Sequence, residues 1–244
     1  MEIVAISDLH GYLPEVPKCD ILCICGDIVP LHVQRNIPAS IAWLAGPFQN
    51  WALELDCKHI VMTWGNHDFV GQYLMENGSR VHEIAPDGYF DGDYQHTILF
   101  QNDTTQKIHI LCHEVEVIES IKFFGTPWCP GLKNWAFYGT KETLLEKFNQ
   151  IPTDTQILIT HCPPKYGLQG TVLETNWNYM NDFGCVELQE VIDDKFLDKD
   201  MWVLSGHIHS GKHEVEKLGN IKYRQVSLLD ENYEVSYQPF TFNF

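Results

Sequence analysis

Short apolar runs closed by polar residues recur along the chain: "EIVAISD" from residue 2, "DILCICGD" from 20, "HIVMTWGN" from 59, "IKFFGTPW" from 121, "TQILITHCPP" from 155 and "MWVLSGHIH" from 201. Runs of this length without strict alternation predict strands buried on both faces. Between them, residues 38–55, 140–149 and 184–196 carry helical spacing, and Gly46-Pro47 predicts a kink or break in the first. Residues 95–112, turning at "QNDTTQ", and 212–226, turning at "KLGN", predict hairpins. Strands joined by helices with hairpins among them give a layered α/β sandwich with mixed sheets. No repeat, low-complexity tract or linker divides residues 1–244, so one domain is expected.

Charge narrows the function. Sixteen Lys and Arg against 33 Asp and Glu give a formal net charge of −17, which repels nucleic-acid polymers and favours a small substrate. No 18-residue apolar span is present, and the N-terminus goes straight into a strand pattern, so no membrane contact and a cytoplasmic location are expected. The eight cysteines are scattered along the chain and are expected as reduced, mostly buried thiols.

The strand ends carry the chemistry. Ligands of α/β proteins gather beyond the carboxyl ends of strands. Here that edge collects Asp8, His10, Asp27, Asn66, His67, Asp68, His161, His207 and His209. Two of these Asp, the Asn amide and four of the His suit Mn²⁺, Fe, Zn²⁺ and similar divalent ions. Seven ligands exceed what one ion needs. If one carboxylate bridges, two ions about 3.5–4 Å apart form a clamp for in-line displacement at phosphorus, and a two-metal phosphoesterase follows.

The blocks "DLH" at 8–10, "GD" at 26–27, "GNHD" at 65–68, "THCPP" around His161 and "GHIH" at 206–209 resemble, in order, the motifs of the calcineurin-like metallophosphoesterases, whose fold is a four-layer α/β/β/α sandwich. The resemblance implies two divalent metal ions, Mn²⁺ first, with Fe, Zn²⁺, Ni²⁺ or Co²⁺ as alternatives. It assigns Asp8, His10, Asp27 and His209 to one ion and Asp27, Asn66, His161 and His207 to the other, with Asp27 as the bridge. His67 is then a catalytic residue facing the substrate rather than a ligand, and Asp68 orients it. A metal-bridging hydroxide is the implied nucleophile.

The segments "FFGTPWCPGLKNWAF", "IPTDTQILITHCPP" and "GCVELQEVI" are similar to the metallophosphoesterase-domain subfamily of animals, close in turn to class III cyclic-nucleotide phosphodiesterases. Hydrolysis of small phosphodiesters, cyclic nucleotides foremost, is the implied activity. A phosphomonoesterase with the same metal centre is the alternative, and a non-catalytic metal-bound scaffold ranks below both. Dimerisation of class III-like enzymes implies a possible homodimer. Brain-expressed animal members carry Gly at the position of His207; this chain keeps the histidine.

Secondary candidates lie around these motifs. Trp128, with Trp135 and Phe137, offers a ring to stack on a base. Residues 166–183 are long enough for a lid, and Arg80 and Lys165 are cations that could meet a phosphate. His32, His59, His82, His96, His109, His113 and His213 lack motif context and are expected to be structural or surface groups.

Overall fold

The computed structural model describes residues 1–77, 107–174 and 179–244. Arg80, His82, His96 and most of the hairpin expected over 95–112 lie outside them. The elements in chain order are β1 (Glu2–Ile6), β2 (Cys19–Cys25), α1 (Ile37–Trp43), α2 (Gln49–Glu54), β3 (Cys57–Thr63), α3 (Phe69–Asn77), β4 (Ile108–Ile110), β5 (Glu114–Ile118) and β6 (Ile121–Thr126). There follow α4 (Lys141–Phe148), β7 (Ile157–Thr160), β8 (Thr171–Glu174), β9 (Tyr179–Asp182), α5 (Val186–Lys195), β10 (Met201–Ser205), β11 (Glu216–Leu218), β12 (Ile221–Gln225) and β13 (Phe240–Asn243).

Two mixed sheets carry the fold, as the sequence predicts. One has the order β13-β1-β2-β3-β4, parallel except for β13; the other runs β11-β12-β10-β7-β6-β5, with antiparallel strands at both edges. Alternate residues face opposite ways. Ile3, Ala5, Ile21, Cys23 and Val61 meet Phe123, Ile157, Ile159 and Leu204 between the sheets. Val4, Ile6, Leu22 and Ile60 face outward with Leu44, Phe48 and Ala52, while Leu158 and Val203 pack with Leu144, Phe148, Leu188 and Ile192 of α4 and α5. The central strands β1, β2, β7 and β10 are buried on both faces, which explains why their sequences read as unbroken apolar runs.

The helical region 38–55 divides where Gly46-Pro47 falls. α1 begins on a cap in which Asn36 accepts from the Ala39 N–H, and residues 44–48 form a π-helical turn holding Pro47 before α2 resumes. Proline has no N–H to give the ladder, and the wider turn absorbs the missing bond. Residues 212–226 contain the expected hairpin, β11 pairing with β12 across Gly219-Asn220. β4 lies parallel to β3, with Ile60 opposite Ile108, while the other arm and the turn of the hairpin expected over 95–112 lie outside the described residues. Among the described residues no helix is long and apolar enough to cross a membrane.

Candidate metal centre

The loops leaving β1 and β2 close on each other through backbone bonds. Asp8 N–H donates to Gly26 O at 3.0 Å, His10 N–H to Asp27 O at 2.9 Å and Gly11 N–H to Ile28 O at 3.0 Å. Four residues here adopt left-handed backbone without being glycine: Asp8 (φ 55°), His10 (43°), Asp27 (53°) and His207 (72°). Each such residue costs about 1–3 kcal/mol, and such strain gathers where function requires a fixed geometry. The motif glycines permit the close approach. A Cβ on Gly65 would stand 2.2 Å from Asp27 Oδ1, and one on Gly206 would stand 1.9 Å from Ser7 Oγ.

Two buried carboxylates lie beneath a ring of imidazoles. Asp8 accepts from the His207 N–H at 3.1 and 3.0 Å and from Ser227 Oγ at 2.6 Å, and its Oδ1 is 3.2 Å from His209 Nε2. Asp27 Oδ1 accepts the His67 N–H at 2.7 Å. Its Oδ2 faces three rings, 3.3 Å from His161 Nε2, 3.7 Å from His10 Nε2 and 3.9 Å from His67 Nε2. Asn66 Oδ1 lies 2.9 Å from His161 Nε2, and the His207 ring is 5.1 Å from that of His161. The structure thus brings together all seven candidate ligands and His67.

Protonation follows from burial and charge. Burial works against ionised Asp8, yet His209 and His161 hold its carboxyl well below the usual range; Asp27, likewise buried, is kept low by His161 and His67. Burial opposes charge on His161 as well, but Asp27 and Asp8 carry its pKa up to about 10, and His209 reaches about 9 against Asp8. Burial dominates at His10, lowered to about 4, and at His207, lowered to about 3.

The donor set fits divalent cations. Both ring nitrogens of His10 are buried without a hydrogen-bond partner, a costly arrangement that a cation relieves. Asp8, His10 and His209 offer donor atoms within 4.8 Å of one another, as do Asp8, Asp27 and His161, and His10, Asp27 and His67. His161 and His209 each place Nδ1 2.8 Å from a backbone carbonyl, of Cys25 and Asp230 respectively. This second contact turns Nε2 inward, the usual support of a ligating histidine.

Two expectations change. Asp68 does not touch the His67 ring: its oxygens accept from the N–H groups of Ile28 (3.0 Å), Val29 (2.9 Å) and Gly65 (2.8 Å), tying the β2 loop to the β3 loop. Burial, reinforced by Asp27, raises its pKa to about 7. The partner of His67 Nδ1 is instead Gln34 Oε1, at 2.5 Å. Trp128 is buried rather than presented for stacking: it packs edge-on against Phe137 with Lys147 Nζ 5.2 Å from its ring centre. The ring flanking His67 is Trp135, at 4.3 Å between centres, placed there because Ala136 N–H donates to Asn66 O. Lys165 lies 4.0 Å from Asp182. The described part of 166–183 is tied to the β11–β12 hairpin, Tyr166 stacking on Tyr223 and Gln169 donating to Glu216.

Other contributors carry no motif. Tyr233, at φ 61°, sets its ring 4.9 Å from His10 and 5.4 Å from His209. Cys129 is buried within 4.8 Å of His161 and His207 donor atoms. Trp135 was legible as an aromatic in the right loop; Gln34, Tyr233 and Cys129 left no local signal.

Human metallophosphoesterase domain-containing protein 1 is 26% identical over 243 residues, covering 95% of this chain and 67% of its own length. The UPF0046 protein C25E10.12 of Caenorhabditis elegans is 27% identical over 252 residues, covering 100% of this chain and 80% of that protein. The solved structure of the sulfate thiohydrolase SoxB of Thermus thermophilus aligns with a TM-score of 0.37 at 15% identity, over 85% of this chain and 33% of that one. The calcineurin-like phosphoesterase model matches residues 1–211, and the chain belongs to that family of metal-dependent phosphoester hydrolases.

Proposed function

We propose that the protein is a two-metal phosphodiesterase acting on small phosphodiesters, cyclic nucleotides foremost, in the cytoplasm. The observation that carries this reading is His67, an imidazole beside Asp27 whose Nε2 faces the metal ligands while Gln34 holds its Nδ1.

Asp8, His10, Asp27 and His209 would hold one ion, and Asp27, Asn66, His161 and His207 the other. Bound there, the cations supply Lewis acidity and a nucleophile at neutral pH. In its doubly protonated form, with Nδ1–H given to Gln34 and a second proton on Nε2, His67 is placed to steady a phosphoryl oxygen and to pass that second proton to the departing oxygen, help typically worth about 10²–10⁴-fold. Trp135 and Tyr233 flank the histidines and give a planar group of the substrate apolar surface to rest on. A diester brings one negative charge where a monoester brings nearly two, and a chain of net charge −17 repels the second more strongly. The eight cysteines are free thiols, in keeping with a reducing compartment.

The test is hydrolysis of 2′,3′- and 3′,5′-cyclic nucleotides, a linear aryl diester and the matching monoesters by protein stripped of metal and reloaded with Mn²⁺, with Asp27→Ala as the blank. Cyclic diesters turning over well above monoesters, with a dead blank, support the proposal. Preference for monoesters, or no turnover while two ions remain bound, overturns it.

A further inference from the structure

At the end of β3 remote from the metal centre two histidines face each other. His59 Nδ1 and His109 Nε2 are 3.1 Å apart. The outward nitrogen of each ring meets a carboxylate: His109 Nδ1 lies 2.8 Å from Glu116 Oε1, and His59 Nε2 lies 3.5 Å from Glu119 Oε1. His59 and His109 belong to β3 and β4 of one sheet, Glu116 and Glu119 to β5 and the turn after it in the other. The row Glu119–His59–His109–Glu116 therefore spans the gap between the sheets, with both rings partly buried.

The turn that delivers Glu119 is strained. β5 and β6 are joined by Glu119 and Ser120 alone, at φ 50° and 70°. A two-residue hairpin loop with both residues at positive φ favours Asn-Gly. A glutamate in that conformation has its carboxylate fixed behind His59, and strain of this kind points toward function.

The proton count completes the argument. Contacts Glu119–His59, His59–His109 and His109–Glu116 each need one proton, and two neutral imidazoles carry two. A cation in place of the middle proton leaves both rings neutral, their lone pairs facing inward and their N–H groups facing the carboxylates. That is the arrangement in which ligating histidines are ordinarily supported. Two nitrogens each about 2.0–2.1 Å from a tetrahedral ion stand about 3.3 Å apart, close to the 3.1 Å found here.

We propose that His59 and His109, backed by Glu119 and Glu116, form a second and separate site for an imidazole-preferring divalent transition metal such as Zn²⁺. The ion binds His59 Nδ1 and His109 Nε2, any proton held between them leaves to solvent, and water completes the coordination.

The test uses the full chain, stripped with a chelator and dialysed against Zn²⁺, with metal counted per chain. Wild type is expected to hold one ion more than His59→Ala or His109→Ala, while hydrolysis by the Mn²⁺-loaded protein is the same in all three. Glu119→Gln is expected to weaken the extra ion about 10- to 100-fold. Equal zinc counts in wild type and both histidine variants overturn the proposal. Should a histidine variant lose its circular dichroism spectrum, Glu119→Gln decides: weaker binding of the extra ion supports the site, and unchanged binding overturns it.

Discussion

Gln34 Oε1 stands 2.5 Å from Nδ1 of His67, so a neutral amide rather than a carboxylate holds the histidine proposed to act on the substrate. The contact leaves Nε2 turned toward Asp27. Gln34→Leu should lower turnover about 10- to 100-fold on esters with poor leaving groups, and less on a nitrophenyl ester, because proton delivery depends on that orientation. Metal content should not change. In a His67→Ala background the same substitution should have no further effect, and additive losses in this cycle would show that Gln34 acts elsewhere.

Asp68 fastens the loops rather than the ring. Asp68→Ala strands the N–H groups of Ile28, Val29 and Gly65, each worth about 1–3 kcal/mol when buried and unpaired. A loss of about 3 kcal/mol or more in urea unfolding is expected, with reduced metal content. A variant of nearly wild-type stability would refute this role.

The two tryptophans of the loop after β6 should separate cleanly. Trp128→Ala removes a buried ring from the core and should cost about 3–5 kcal/mol of stability. Trp135→Ala removes the ring beside His67 and should raise KM for nucleotide esters about 10-fold, as loss of base stacking does, at little cost in stability. Steady-state kinetics and denaturant melts on both variants check the pair; the reverse pattern would return Trp128 to the site.

His113 gives the fold an acid-sensitive point. Burial, helped by Lys147, lowers its pKa from 6.5 to about 4, and its Nδ1 lies 3.2 Å from Thr126 Oγ1. The folded state thus binds a proton less readily than the unfolded chain, and this contribution to stability is present above pH 6.5 and fades as pH falls toward 4. His113→Asn, which tolerates the φ of 65° at this position, should show a flatter dependence of Tm on pH across that window. Parallel Tm curves for the two proteins would exclude His113 as the cause.

What the sequence determined by itself was local. A buried strand needs apolar residues throughout, and a candidate ligand at its exit needs only to be among the first polar residues that follow, so β1, β2, β3, β7 and β10 announce both themselves and Asp8, Asp27, Asn66, His161, His207 and His209. Gly46-Pro47 marked its own break because proline cannot donate to a helix wherever it sits. Tertiary structure decided what depends on approach across distance. Asp68 follows His67 directly, yet its carboxylate is claimed by the backbone of Ile28 and Val29, and the ring turns to Gln34 on another loop. Trp128 and Trp135 are indistinguishable by type, and only the bond from Ala136 to Asn66 brings Trp135 to the site. His59 and His109 look unremarked along the chain because their ring contact exists only once β3 and β4 lie side by side. Adjacency of side chains on different strands and loops is set by packing, which no local pattern encodes.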